Sequence, residues 1–228
     1  MTPLPDPAAL AALEAAGVAP ALAERLAVYA ALVLAANRRI NLTGARDGTA
    51  FAEHLLDALT LAGDVSGPLV DVGSGNGLPG IPLALAAGVP VTLIEPIGKR
   101  ADFLRETVAT LGLEGTVVAA RAEDAARDPA LRAGFRSATA RAVASAPAVA
   151  ELTVPFLAIG GRALLQRGSL EPRERDAVAD AALVLGAELV EERPVGGERR
   201  ILVLEKRTPT GPRFPRKNGV PAKRPLCL

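Results

Sequence analysis

The sequence predicts an α/β protein, with a doubly wound, mostly parallel seven-stranded sheet, a helical N-terminal extension and a terminal antiparallel hairpin. Three observations predict it. From Pro68 onward, short apolar runs alternate with helical patterns, as in a parallel sheet covered on both faces. Leu69-Val70-Asp71-Val72-Gly73-Ser74-Gly75-Asn76-Gly77-Leu78-Pro79-Gly80 reads as a buried strand that breaks into a glycine-rich turn and opens a helix. The last two apolar runs are joined only by a short turn containing Pro-Val-Gly-Gly. That link is too short for a crossover helix, so the two strands must pair antiparallel.

The elements follow in order. Residues 1–64 form the helical extension. Asp6-Pro7 supplies an N-cap and a proline at the first helical position, and Gly17 closes that helix. A second helix covers about 20–37, with Leu22, Leu26, Tyr29, Val33 and Ala36 at helical spacing. A polar loop, Asn37-Arg38-Arg39-Ile40-Asn41-Leu42-Thr43-Gly44, leads to a third helix over 49–62 that carries Phe51, His54, Leu55, Ala58 and Leu59. Strands are expected at 69–73, 91–95, 116–120, 136–140, 161–166, 187–193 and 199–206. Helices are expected at 80–87, 98–111, 128–133, 145–158 and 171–185. The main domain is thus 65–207, followed by a basic, proline-rich tail at 208–228.

Composition narrows the class. Half of the 228 residues are hydrophobic, enough for a large core. The single Cys227 excludes an internal disulfide framework and any CxxC metal site, and no metal ligand set is expected. The N-terminus lacks the basic start of a signal peptide, and no uninterrupted apolar stretch reaches the length of a membrane span. A soluble, cytoplasmic monomer with no membrane contact is expected. Net charge is +1, yet from Lys206 onward there are seven positive residues and no acid, which leaves −6 on the rest. A basic tail on an acidic body points to a polyanionic partner, with a merely solubilising tail as the alternative.

The glycine-rich turn points to a nucleoside. Glycines at 73, 75 and 77 allow unusual dihedrals and close approach of a ligand. Glu95 ends the next strand, 22 residues after Gly73, where a carboxylate can accept from both ribose hydroxyls; an ion pair with Lys99 or Arg100 is its alternative. Asp71 lies inside the strand, where a pyrophosphate site would carry an apolar residue and an adenosylmethionine site an acid. In an open α/β sheet the ligand sits beyond the carboxyl ends of the strands. The residues there are Gly73, Ser74, Gly75, Gly77 and Leu78 after strand one, and Glu95 after strand two. Ala122 and Glu123 follow strand three, Arg141-Ala142-Val143-Ala144 strand four and Arg167-Gly168 strand five. Asp124 reads as a helix cap, Arg141 as a contact to a cofactor carboxylate or a substrate phosphate, and His54 and Tyr29 as packing residues.

A parallel sheet closed by one antiparallel hairpin is similar to the Rossmann-like class I methyltransferases that use S-adenosyl-L-methionine. The motifs more specifically resemble the bacterial 16S rRNA guanine-N7 methyltransferases, the small-subunit methyltransferase G family. The resemblance is carried by Asn41-Leu42-Thr43, by His54-Leu55-Leu56-Asp57-Ala58-Leu59 and by the turn through Gly80-Ile81-Pro82. Lys99-Arg100, Phe103-Leu104-Arg105, Arg121-Ala122-Glu123, Arg141-Ala142-Val143-Ala144 and the tail from Phe214 continue it. It departs where Ala36 stands in place of a tryptophan and Arg167 in place of a lysine; arginine and lysine donate hydrogen bonds differently.

The resemblance implies that Gly73, Leu78, Ala122, Glu123 and Arg141 contact adenosylmethionine. It also implies a guanine in the decoding-region hairpin of 16S rRNA, on the 30S subunit, as the target. Guanine N7 has a lone pair and no hydrogen, so no catalytic acid or base is assigned, and rate enhancement would come from positioning. Arg38, Arg39, Arg46, Arg167, Arg216, Lys217 and Lys223 are the candidate RNA contacts. Deleting 208–228 is expected to weaken RNA binding while leaving cofactor binding intact. The alternatives are a methyltransferase for a small molecule or protein, an NAD-dependent oxidoreductase, and a non-catalytic nucleoside-binding assembly factor.

Overall fold

A computed structural model describes residues 3–141 and 144–227. Seven strands form one sheet: β1 (Leu69–Val72), β2 (Val91–Ile94), β3 (Gly115–Val118), β4 (Phe135–Ala140), β5 (Leu157–Arg167), β6 (Ala187–Pro194) and β7 (Arg200–Lys206). Their spatial order is β3-β2-β1-β4-β5-β7-β6. Pairing is parallel from β3 to β5. β7 then inserts antiparallel between β5 and β6. The chain turns back through a short loop in which Val195 N–H donates to the Arg199 carbonyl at 3.0 Å. Strand order reverses between β1 and β4, and a crevice opens beyond their carboxyl ends.

The strands alternate between two faces, as their period of two demands. Leu69 packs on one face with α1 (Pro7–Ala15), α2 (Pro20–Ile40), α3 (Gly48–Leu59), α4 (Gly80–Ala87) and α5 (Gly98–Thr110). Val70 and Val72 pack on the other with α6 (Ala122–Ala125), α7 (Ala146–Thr153) and α8 (Pro172–Leu185). The N-terminal helices therefore share the core of the sheet. Asp6 caps α1, accepting from the N–H groups of Ala8 and Ala9, and Asp47 caps α3 by accepting from Ala50. Although α2 is long and apolar enough by composition to cross a membrane, Leu26, Tyr29 and Val33 are buried within the fold. A final turn, α9 (Val220–Lys223), lies in the tail.

Three expectations are corrected. Residues 128–133 form turns and no helix. Asp128 folds back to accept from Ala130 N–H, and Ala133 adopts a left-handed conformation (φ 56°) that stops a helix from forming. The helix after β3 instead starts at Ala122, so Asp124 lies inside it and caps nothing; its carboxylate accepts from Asn218. The helix expected through residue 158 ends at Thr153, because Pro155 tightens the next turn, and β5 begins early at Leu157.

Candidate active site

The turn after β1 is held by backbone hydrogen bonds together with a few buried side chains. Gly73, Gly75 and Gly77 have φ of 71°, 57° and 101°, a region that side-chain-bearing residues avoid. The N–H groups of Gly73 and Ser74 both donate to the Ile94 carbonyl. Gly77 is tightly enclosed: a Cβ there would lie 2.4 Å from Ile81 Cδ1 and 3.0 Å from the Tyr29 hydroxyl. That hydroxyl donates to the Asn76 carbonyl at 2.8 Å, so α2 straps the turn from above. Tyr29 is fully buried, and desolvation raises its pKa well above the phenolic norm.

Two carboxylates sit beneath this turn. Glu95 is 3% exposed. Its Oε2 accepts from Gly75 N–H at 2.9 Å and its Oε1 from Ile97 N–H at 2.8 Å, which fixes the carboxylate between the ends of β1 and β2. Backbone groups on both sides thus take the place of the alternative ion pair with Lys99 or Arg100. Asp71 is fully buried, and its Oδ2 accepts from Gly80 N–H at 3.3 Å. Its Oδ1 has no partner. Burial pushes the Asp71 pKa from 3.8 up to about 7, against the pull of the Gly80 N–H and the Arg141 charge.

Arg141, at the end of β4, links this turn to a second feature. Its guanidinium lies 3.5 Å from Asp57 Oδ2 on α3, and its charge acts on Tyr29, His54 and Asp71. Asp57 Oδ1 accepts from Arg199 at 2.6 Å. Together Asp57, Arg141, Gln166, Arg167, Gly168 and Arg199 line a cavity of about 420 Å³ at the ends of β4 and β5. Arg167 braces its far wall, donating to the Ala144 carbonyl at 2.6 Å and pairing with Glu174 at 3.3 Å. Ala142 and Val143, expected beside this site, lie outside the described residues.

The family described as rRNA small subunit methyltransferase G matches residues 22–203. The chain belongs to the rRNA small subunit methyltransferase G family. It is 47% identical over 211 residues to the ribosomal RNA small subunit methyltransferase G of Rubrobacter xylanophilus, covering 86% of this chain and 81% of that one. It is 42% identical to the protein of the same name from Roseiflexus castenholzii, covering 89% of this chain and 91% of the other. The fold is similar to that of the mitomycin 7-O-methyltransferase MmcR (TM-score 0.56, 15% identity, 70% of this chain and 56% of that one). It is also similar to M. jannaschii TYW2 in complex with AdoMet (TM-score 0.51, 18% identity, 68% and 76%). The chain is therefore an adenosylmethionine-dependent enzyme acting on small-subunit rRNA.

The residues at the turn fit that cofactor. The glycine cradle leaves room at Gly75, where a Cβ would meet nothing closer than 3.9 Å. Glu95 offers fixed acceptors at the end of β2, and the unpartnered Asp71 Oδ1 offers a buried acceptor to a cationic group.

The tail is a strap, and one of its charges, that of Arg216, is committed to the fold. Phe214 is buried. Arg132 donates to the carbonyls of Phe214 and Thr210, and Arg127 to that of Pro215. Arg216 makes a two-toothed ion pair with Glu151, whose carboxylate is wholly buried. Glu123 accepts from the Gly219 N–H at 2.8 Å, so its side chain faces the tail while Ala122 opens α6. Lys206 is buried too, donating to the Val154 carbonyl at 2.9 Å, and desolvation lowers its pKa to about 8. Two expectations change. Arg216 is a structural anchor whose charge is spent on Glu151. Deleting 208–228 would strip that buried carboxylate of its partner and Glu123 of the Gly219 N–H, so the deletion removes more than exposed charge.

Of the remaining basic candidates, Arg167 is partly buried and the others are exposed. Arg38 and Arg46 line one cavity beside the Asn-rich loop, and Arg39 and Lys99 line another at the start of α5. Lys217 and Lys223 project from the tail. The arginine cavity holds the residues that sequence reasoning missed, namely Asp57, Gln166 and Arg199. Asp57 was visible only inside the run His54-Leu55-Leu56-Asp57, and Arg199 only as the first residue of the last expected strand. His54 proves to be near the site, its pKa lowered by partial burial and by Arg141.

Proposed function

We propose that this methyltransferase methylates N7 of a guanine in the decoding-region hairpin of 16S rRNA, on the 30S subunit. The observation that carries this reading is the wall of the arginine cavity. Its titratable members are Arg141, Arg167, Arg199 and one carboxylate, Asp57, which two of those arginines already hold. A carboxylate so engaged is a poor general base, and the arginines cannot act as one. The site therefore suits a nucleophile that gives up no proton. Guanine N7 is such a nucleophile.

When bound, adenosylmethionine supplies an electrophilic methyl group. Gly73, Ser74, Gly75, Gly77 and Leu78 would cradle it, Glu95 would accept from its ribose hydroxyls, and Ala122 and Glu123 would border the adenine. Asp71 would face the ammonium, and Arg141 would stand at the junction with the RNA. Catalysis then rests on holding N7 at near-attack distance in a dry site. A-form RNA hides the N7 edge in its deep groove, so the target base must be unpaired or splayed out. Arg38, Arg39, Arg46, Arg167, Lys217 and Lys223 would contact phosphates. An rRNA substrate implies a cytoplasmic enzyme, and the reading needs no more than a monomer.

The test is transfer of labelled methyl to 30S subunits from a strain lacking the homologue. Reduction and aniline treatment, which cut selectively at 7-methylguanine, would follow. One cut in the decoding region is expected. Label without scission would place the methyl on another atom, and label confined to a metabolite extract would favour a small-molecule substrate.

A further inference from the structure

We propose that Asp57 reads the identity of the target base, accepting hydrogen bonds from N1–H and the 2-amino group of guanine while Arg141 donates to O6. This rests on the guanine-N7 reading above and names how that site chooses its base.

A guanine that turns N7 toward the cofactor still exposes O6, N1–H and the 2-amino group, in the order acceptor, donor, donor. Arg141 and Asp57 stand side by side, 3.5 Å apart, and present a donor followed by a carboxylate that accepts twice. The two arrays are complementary. Adenine offers a donor, an acceptor and no third group, so it would set N6 against the guanidinium and N1 against the carboxylate. Asp57 is the sole carboxylate in the wall of this cavity, and its side chain is only 13% exposed. A buried acceptor left unpaired by the wrong base discriminates strongly.

Without RNA, the carboxylate is satisfied by Arg199. That arginine sits in the β6–β7 turn with a side chain 53% exposed, so it has room to swing away while Arg141 keeps its hold on Asp57. Releasing Asp57 would free Arg199 for a neighbouring phosphate. The same carboxylate would also favour the product. N7 gains a methyl and no proton leaves, so the purine ring becomes cationic next to a negative charge.

The experiment compares RNA carrying guanosine with RNA carrying inosine, which lacks the 2-amino group, at the target position. Methyl transfer is measured, together with equilibrium binding in the presence of S-adenosylhomocysteine, for the wild type and for Asp57→Ala and Asp57→Asn. The wild type should prefer guanosine by roughly 10- to 100-fold in kcat/KM, the range for one hydrogen bond to a charged group. In Asp57→Ala the preference should collapse to within about threefold, because only the guanosine rate falls. Asp57→Asn, which keeps one carbonyl acceptor, should lie between. Thermal melting and cofactor titration report whether each variant folds, and the inosine comparison on the wild type needs no variant. A wild type indifferent to inosine, or an unchanged preference in a folded Asp57→Ala, would overturn the proposal. If N7 product forms while the preference ignores Asp57, the base-reading role falls and the N7 reading stands. If the binding preference depends on Asp57 but no N7 product forms, the reverse holds.

Discussion

The two sides of Arg141 are built on different principles. On the cofactor side, the turn from Gly73 to Gly80 is fixed by backbone hydrogen bonds, by the Tyr29 strap and by two buried carboxylates. On the proposed RNA side, the cavity is walled by long arginines paired with Asp57 and Glu174, and one of those arginines, Arg199, is half exposed. A small ligand met at every turnover gains from a preformed site, because little ordering remains to be done on binding. A folded RNA brings its own charge and shape, and surface ion pairs that cost little to break can re-partner with phosphates. The comparison teaches that rigidity in this enzyme is concentrated where the cofactor sits, and that the tail belongs to the rigid side.

The largest effect should come from the tail. Arg216→Ala leaves the buried Glu151 carboxylate without its counter-charge, holding only the backbone N–H of residue 216, and it should lower the unfolding free energy by about 3 kcal/mol. Lys217→Ala, one residue away and exposed, should stay within about 0.5 kcal/mol in the same denaturation assay. Equal effects would erase the distinction between anchor and free charge.

Next comes Asp71, whose pKa is raised to about 7. The unfolded chain loses this proton near its usual value of 3.8, whereas the folded chain keeps it until about 7. Stability should therefore fall as pH rises across that window, by something on the order of 2–4 kcal/mol, and level off above it. Asp71→Asn should remove this component from the difference between the two stability–pH curves.

Gly77→Ala should strain the turn by about 1–3 kcal/mol through its φ of 101° and the clash with Ile81. It should weaken cofactor binding accordingly in a titration. Tyr29→Phe removes only the hydroxyl that meets Asn76, and about 1 kcal/mol of turn stability with it. The smallest effects belong to the exposed arms. Arg38→Ala, Arg39→Ala and Arg46→Ala should each reduce the salt slope of RNA affinity by about one, with cofactor affinity unchanged.

The cofactor side was legible in the sequence because it depends on local patterns. Alternating glycines, an acid at a fixed spacing and a strand–turn–helix hydrophobic pattern all lie within residues 69–95. The terminal hairpin was legible because a short link permits one pairing. The proposed RNA side was legible only in part: Arg141 and Arg167 follow strand ends, but Asp57, Gln166 and Arg199 come from α3, β5 and the β6–β7 turn, and only the sheet order brings them beside those arginines. Tyr29 was read as packing, since periodicity marks a buried position and says nothing of where a hydroxyl points. The tail was read as a charged arm because Glu151, the partner of Arg216, sits 65 residues earlier in an apolar helix.

Arg199→Ala measured in two assays tests the division most directly. Calorimetric titration should give a cofactor affinity within about twofold of the wild type, because no contact of Arg199 reaches the turn. Methyl transfer to 30S subunits should lose roughly 10-fold or more in kcat/KM, as expected when a charged contact to the RNA is removed. Equal losses of cofactor affinity and of kcat/KM would contradict the account, since the two sides of Arg141 would then be one site.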